Sequence, residues 1–266
     1  MFGKLMKAEW RASRRIIGAL CAVVLISGAL LGLMGNVLLW ESSGSWQLPG
    51  FVNVLFSLLG MTAVLAVTLS LAASVFYVLW RYYRSRFTEE GYLTYTLPVN
   101  NHQLMLSSIL ASVLEMLLVA LAAMAAVALA FGIFAAGLPW NEVDSTSWGL
   151  LWSRWGEVLD SLRPVVGDVL LVLLNMALMG LATLLTLMLA VTIGATAAKK
   201  HPILLAIVVF YAISLVRLVA YLNAANACAY LSIGATLAAL AGVNAAAVLI
   251  AYFWMYYLTS RKLNLS

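Results

Sequence analysis

The chain has 266 residues, of which 65% are hydrophobic and only 9% charged, with a net charge of +5. A soluble domain carries roughly 25% charged residues, so a water-soluble fold of this size could not cover its surface and the solvent must be lipid. Two cysteines are too few for a disulfide framework, and the positive balance has to be read by its position along the chain before any partner is inferred.

Met1–Arg15 sets Phe2, Leu5, Met6 and Trp10 among Lys4, Lys7, Arg11, Arg14 and Arg15. That pattern predicts an amphipathic interfacial helix. The apolar run behind it is about 25 residues, too long for the core of a cleaved signal peptide, which spans about 7–15. A helix needs about 20 apolar residues to cross the hydrocarbon. Six runs qualify: Ile16–Trp40, Phe51–Trp80, Leu104–Leu138, Val165–Ala198, Ile203–Leu222 and Ala227–Leu258. Continuous stretches such as Leu117–Phe131 do not alternate, which excludes a β-barrel reading. The predicted fold is therefore an all-α integral membrane protein of six transmembrane helices. The longer runs tilt or extend past the bilayer. Gly28-x-x-x-Gly32 in the first span and Ala238-x-x-x-Gly242-x-x-x-Ala246 in the sixth permit close helix approach, either within the chain or, for the first, at a dimer seam.

With six spans, twelve of the fifteen basic residues fall on one side: Lys4, Lys7, Arg11, Arg14, Arg15, Arg81, Arg84, Arg86, Lys199, Lys200, Arg261 and Lys262. Only Arg154 and Arg163 belong to the other. The positive-inside rule then places both termini in the cytoplasm. The net charge reads as topology and contact with anionic membrane lipid, not as nucleic-acid binding. Cys21 and Cys228 would sit at opposite membrane depths, so no disulfide joins them and both read as small apolar residues.

After the second span comes a polar, aromatic stretch. Arg81–Arg86 reads as a basic membrane anchor. Glu89 and Glu90 open a short helix, favourably for its dipole. Pro98 ends it, and Asn100 and Asn101, with Gln103, cap the third span. Tyr92, Leu93, Tyr95 and Leu97 either dip into the interface or plug into a groove of a cytoplasmic protein. The residues alone leave these two readings even.

Three polar groups fall at membrane depth: Glu115, Asp168 and Arg217. A mid-bilayer charge costs about 2.5–3.5 kcal/mol. Depth pairs Arg217 with Asp168 better than with Glu115. Glu115 serves either a polar cavity or proton-sensitive site, or a structural hydrogen bond. In the outer loop, Trp148, Leu151, Trp152, Trp155, Leu159 and Leu162 recur every three or four residues. They form an interfacial tryptophan belt or a lid over an exit path. Asn223–Asn226 makes an outer turn.

Catalytic patterns are missing. There is no phosphate-cradling G-x-x-x-x-G-K-[ST], no H-E-x-x-H, and only His102 and His201 as histidines. No metal set and no Ser/His/Asp set is assembled, so no catalytic residue is assigned. The Glu89–Glu90 pair is similar to that of membrane proteases of the prenyl-protein processing kind. Those place an arginine four residues on, where this chain has Thr94, and the histidines they need in later spans are missing.

The stretch Glu90-Gly91-Tyr92-Leu93-Thr94-Tyr95-Thr96-Leu97-Pro98-Val99, followed by Asn101-His102-Gln103, resembles the six-span permease subunits of bacterial type-two ABC exporters. Many of those from Gram-positive bacteria carry E-G-Y-L-T-x-T-L-P after the second span. The match covers ten residues in detail and the six-span, both-ends-in layout in outline. A lysine common soon after the Leu-Pro turn is replaced here by Ser107 and Ser108. The resemblance implies a multi-pass protein of the bacterial cell membrane. It implies that Glu89–Leu97 is a coupling helix, with Glu89, Glu90, Gly91, Tyr92, Leu93, Thr94, Leu97 and Pro98 docking an ATPase subunit. The partners it implies are two copies of a cytoplasmic ATP-binding-cassette subunit, which hold the ATP and Mg, and a second permease chain in a homodimer. The Ala197–His201 link makes a second, smaller contact, and the region of Ala227–Gly234 can be re-entrant in this family. The implied cargo is an amphipathic or antimicrobial-type peptide. The competing reading is a membrane anchor or sensor that recruits a cytoplasmic partner through 81–103.

Overall fold

The structure is a computed structural model that describes residues 2–42, 49–88, 91, 100–137, 149, 154, 156–157, 166–198, 200–228 and 230–261. Six long helices follow one another: α1 (Phe2–Ser42), α2 (Gly50–Phe87), α3 (Asn101–Ala136), α4 (Val166–Ala197), α5 (Pro202–Ala227) and α6 (Ile233–Arg261). All six are long and apolar enough to cross a membrane, and no strand occurs among the described residues. The protein is an all-α, six-span integral membrane protein. Helices bond their interior backbone groups locally, which lipid requires. Hydroxyls inside the spans do the same. Thr62, Thr68, Ser74, Thr186 and Thr259 donate to carbonyls three or four residues back.

At 41, 38 and 36 residues, the first three helices overshoot the hydrocarbon, since about 20 residues suffice to cross it. The overshoot of α1 is the segment Phe2–Arg15, which is helical and continuous with the first span. The overshoot of α2 contains Arg81–Phe87. Two boundaries differ from the sequence reading. Asn223–Asn226 is not a turn but part of α5, and the chain reverses at 228–232 instead. The reversal has its own stop and start signals. Cys228 N–H donates to Ala224 O at 3.2 Å, and Ser232 Oγ accepts from Ala235 N at 3.3 Å, an N-cap for α6. The described residues of 227–234 thus make a turn rather than a re-entrant helix. It also follows that Cys228 ends the fifth span rather than lying in the sixth. Both cysteines are free.

The chain divides into two compact units, one formed by Met1–Val78 and Ser107–Asp144, the other by Leu79–Leu106 and Ser145–Ser266. In the first, α1 and α3 run parallel. Glu9 meets Ser108, Ser13 meets Glu115, Gly28 meets Ala126, Gly32 meets Ala130 and Asn36 meets Ile133. The glycines make this seam possible. A Cβ on Gly28 would lie 2.6 Å from Ala126 Cβ, and one on Gly32 would lie 2.9 Å from Ala130 Cα. The first glycine pair is therefore consumed inside the chain and is not a seam between copies. Ala238, Gly242 and Ala246 behave in the opposite way: all three are exposed, and nothing lies within 4 Å of a Cβ on Gly242.

In the second unit, α4, α5 and α6 pack on one another. Ala182, Leu185, Met188 and Leu189 of α4 and Leu240, Ala241 and Met255 of α6 are buried, whereas α5 buries no residue fully. Tyr82 near the end of α2 joins this unit, its hydroxyl 2.9 Å from Thr192 Oγ1 of α4.

Candidate functional site

Of the coupling segment proper, Glu89, Glu90, Tyr92, Leu93, Thr94, Leu97 and Pro98 lie outside the described residues, as do Trp148, Trp152 and Trp155 of the outer loop. What is described is the frame that holds the segment, and it is built within the second unit.

The frame begins at the end of α2. Arg81 is 8% exposed and Arg86 2%. The expectation that Arg81–Arg86 forms a membrane anchor is therefore wrong for these two side chains. Only Arg84 is exposed, with its guanidinium 5.3 Å from the centre of the exposed Trp80 ring. Helix periodicity explains the division. Arg81, Tyr82 and Arg86 share the face turned into the protein, and Trp80 and Arg84 share the opposite one. The Arg86 guanidinium donates to the carbonyl of Leu104, so the last turn of α2 is stitched to the first turns of α3. Phe87 packs edge-on against Tyr82, at 6.0 Å and 73°.

Gly91 lies four residues beyond Phe87. Its N–H donates to Thr88 O at 2.8 Å, and it is buried. A Cβ there would lie 2.5 Å from the backbone oxygen of Arg86. Because that neighbour is backbone and cannot swing away, only glycine fits this close approach. The glycine of the E-G-Y-L-T stretch thus has a physical reason to be glycine.

On the far side of the segment, Asn100 O accepts from the N–H of Gln103 and Leu104, at 2.9 and 3.1 Å, and α3 begins at Asn101. The helix starts where expected, but the bonds at its start are backbone ones, not the expected side-chain caps from Asn100, Asn101 and Gln103. His102 then reaches α6: its ring stacks on Tyr256 at 3.8 Å and 12°, with Nδ1 3.1 Å from Tyr252 Oη. Both arms of the segment are thus fixed, one to α3 and α4, the other to α6. The second link, between α4 and α5, is equally tight. A Cβ on Gly194 would meet the backbone oxygen of Pro202, and Pro202 occupies the first turn of α5, where its missing N–H costs nothing.

The intramembrane polar groups resolve differently from one another. Glu115 is 0% exposed and accepts a 2.6 Å hydrogen bond from Ser13 Oγ of α1. That bond ties α3 to the amphipathic segment of α1. Arg217 does not pair with Asp168. Its Nη2 donates to Thr183 Oγ1 at 2.9 Å, and its buried Nη1 has no hydrogen-bond partner. Asp168 lies fifteen residues before Thr183 on α4, about 22 Å away along the axis, beyond the reach of an arginine. Asp168 instead faces the start of α6, with Oδ1 3.1 Å from a Cβ position on Gly234.

A further polar group was not singled out from the sequence. Asn244 of α6, 1% exposed, donates to Asn175 Oδ1 of α4 at 2.7 Å, and Asn175 Nδ2 donates to Tyr221 Oη of α5 at 3.3 Å. The three helices are joined by one relay. Its only sequence signal was two asparagines in otherwise apolar runs. No group of three metal-ligating side chains occurs among the described residues. Comparison of the chain with family models, curated proteins and solved structures found no match.

Proposed function

We propose that this chain is the membrane-spanning permease subunit of a bacterial ATP-driven exporter of the type-two ABC class. Two cytoplasmic ATPase subunits bind the ATP and Mg, and a second copy of the chain completes the pore. The cargo is an amphipathic or antimicrobial-type peptide. Supporting this reading are the E-G-Y-L-T-x-T-L-P stretch, the six spans, and above all the frame around that stretch. Arg86 stitches the end of α2 to the Leu104 carbonyl at the start of α3. A segment strung between two stitched helix ends cannot absorb a push by flexing one arm. Force applied at 89–98 moves both helices, as ATP-driven closure of a docked subunit requires. Gly91 adds to this, because its backbone lies too close to that of Arg86 to admit a side chain.

The test is co-expression with an ATP-binding-cassette subunit from the same genome, taken first from any Walker-motif gene that neighbours this one. The complex co-purifies and hydrolyses ATP in a vanadate-sensitive manner. Tyr92→Ala with Leu93→Ala loses the ATPase subunit and leaves the six-span fold intact. If the double variant still retains the ATPase, the docking assignment fails. If no ATPase binds the unaltered chain, the anchor or sensor reading replaces transport.

A further inference from the structure

The first turns of α1 divide into two stripes. Met6, Trp10 and Ser13 turn toward α3 and are half-buried or buried, while Lys7, Arg11 and Arg14, spaced at i, i+4 and i+7, are exposed. Between α1 and α3 lies a groove of about 220 Å³ lined by Gly3, Met6, Lys7, Trp10, Ala111 and Leu114. Five of these six residues are apolar and one is cationic. Nothing lies within 4 Å of a Cβ on Gly3, so the groove is open at that end. Toward its other end it continues into lipid-facing surface, with Leu110, Leu114, Leu117 and Leu121 all at least 37% exposed along α3. The acidic residue of these turns, Glu9, is directed to the opposite stripe, where its carboxylate accepts from Ser108 Oγ at 3.1 Å.

We infer that this groove is a binding site for an anionic phospholipid. One acyl chain lies against Met6, Trp10, Ala111 and Leu114 and continues along α3. The headgroup phosphate sits between Lys7 and Arg11, one helical turn apart on the exposed stripe. Charge complementarity selects the occupant. The groove opens on a bilayer, so hydrocarbon rather than water fills its apolar wall. Lys7 in its lining and the exposed Arg11 one turn further on then favour a lipid with a net negative headgroup over a zwitterionic one. Tryptophan at the level of the headgroups suits the same placement. The inference does not depend on the transport reading, since it concerns only α1, α3 and lipid.

The experiment uses the full chain in nanodiscs made with phosphatidylglycerol or phosphatidylcholine of identical acyl chains, with lipids retained on the protein counted by native mass spectrometry. The unaltered protein retains phosphatidylglycerol in preference. Lys7→Gln with Arg11→Gln removes the preference, roughly thirtyfold for two cations at about 1 kcal/mol each, while phosphatidylcholine retention is unchanged. Gly3→Leu, which fills the open end without a clash, lowers retention of both lipids. Arg154→Gln, at the described exposed cation of the outer loop, leaves the preference intact. The inference is overturned if the unaltered protein shows no preference, or if the preference survives Lys7→Gln with Arg11→Gln. It is also overturned if Arg154→Gln erodes the preference equally, which reduces the effect to bulk charge, or if inorganic phosphate alone displaces the lipid.

Discussion

Three arginines meet the low-dielectric solvent in three ways. Arg84 stays at the surface over Trp80, and Arg86 is buried but donates to the Leu104 carbonyl. Arg217 is held by a single hydrogen bond to Thr183 and leaves Nη1 buried and unpaired. The last arrangement is expensive, because a buried donor without an acceptor bears its full desolvation cost. Thr183 loses little without the arginine, since its hydroxyl also donates to Met179 O at 2.8 Å. Arg217→Met therefore raises stability by about 1–3 kcal/mol, read as a higher midpoint in detergent unfolding. A lower midpoint would mean that the guanidinium has a partner that stabilises the fold. The Asn244–Asn175–Tyr221 relay carries the opposite sign. Asn244→Ala strips the donor from the buried Asn175 amide oxygen but also removes the buried, unpaired Asn244 Oδ1, so the net cost falls at the low end for interhelical hydrogen bonds in membranes, about 0.6 kcal/mol in the same assay. Neither outcome was legible in the sequence. Arg217 and Asn244 each announce a polar group in oil, but their partners depend on the register of one helix against the next, and composition does not set that register.

Between helices, the same small-residue spacing has two fates. Gly28 and Gly32 let α3 approach α1 to backbone contact, whereas Gly242 faces open space on α6. Gly28→Leu drives a side chain into the backbone of Ala126, which sits in the middle of a long seam and cannot yield locally. Stability falls by about 3 kcal/mol or more, at the upper end of over-packing costs. Gly242→Leu changes the unfolding midpoint of the monomer by less than about 0.5 kcal/mol, as an exposed substitution does. Equal losses in the two variants would show that α6 has an intramolecular neighbour at that face. The spacing itself was plain in the sequence. Which of the two motifs the chain uses on itself was not, because a close-approach motif says only that a neighbour can come near.

Across the whole chain, the six spans were legible because lipid imposes a requirement on every residue of a crossing helix, and a run of about 20 apolar residues meets it in few ways. Helix ends were less legible. Asn223–Asn226 reads as a turn by residue preference, yet α5 runs through it to Ala227, and the Ser232 cap starts α6 just beyond. The orientation rests on charge alone, with twelve of fifteen basic residues on one side of a six-span chain. Three single cysteines, introduced at Lys7, Arg154 and Lys200 in a background lacking Cys21 and Cys228, test it with a membrane-impermeant thiol reagent on intact cells. All three positions are exposed, so labelling reports sidedness rather than burial. The cysteine at 154 reacts, and those at 7 and 200 react only after the membrane is opened. The reverse pattern would put the segment at 89–98 outside the cell, where neither ATP nor an ATPase subunit could meet it. The frame formed by Arg86 and Gly91 would then have to serve some other partner.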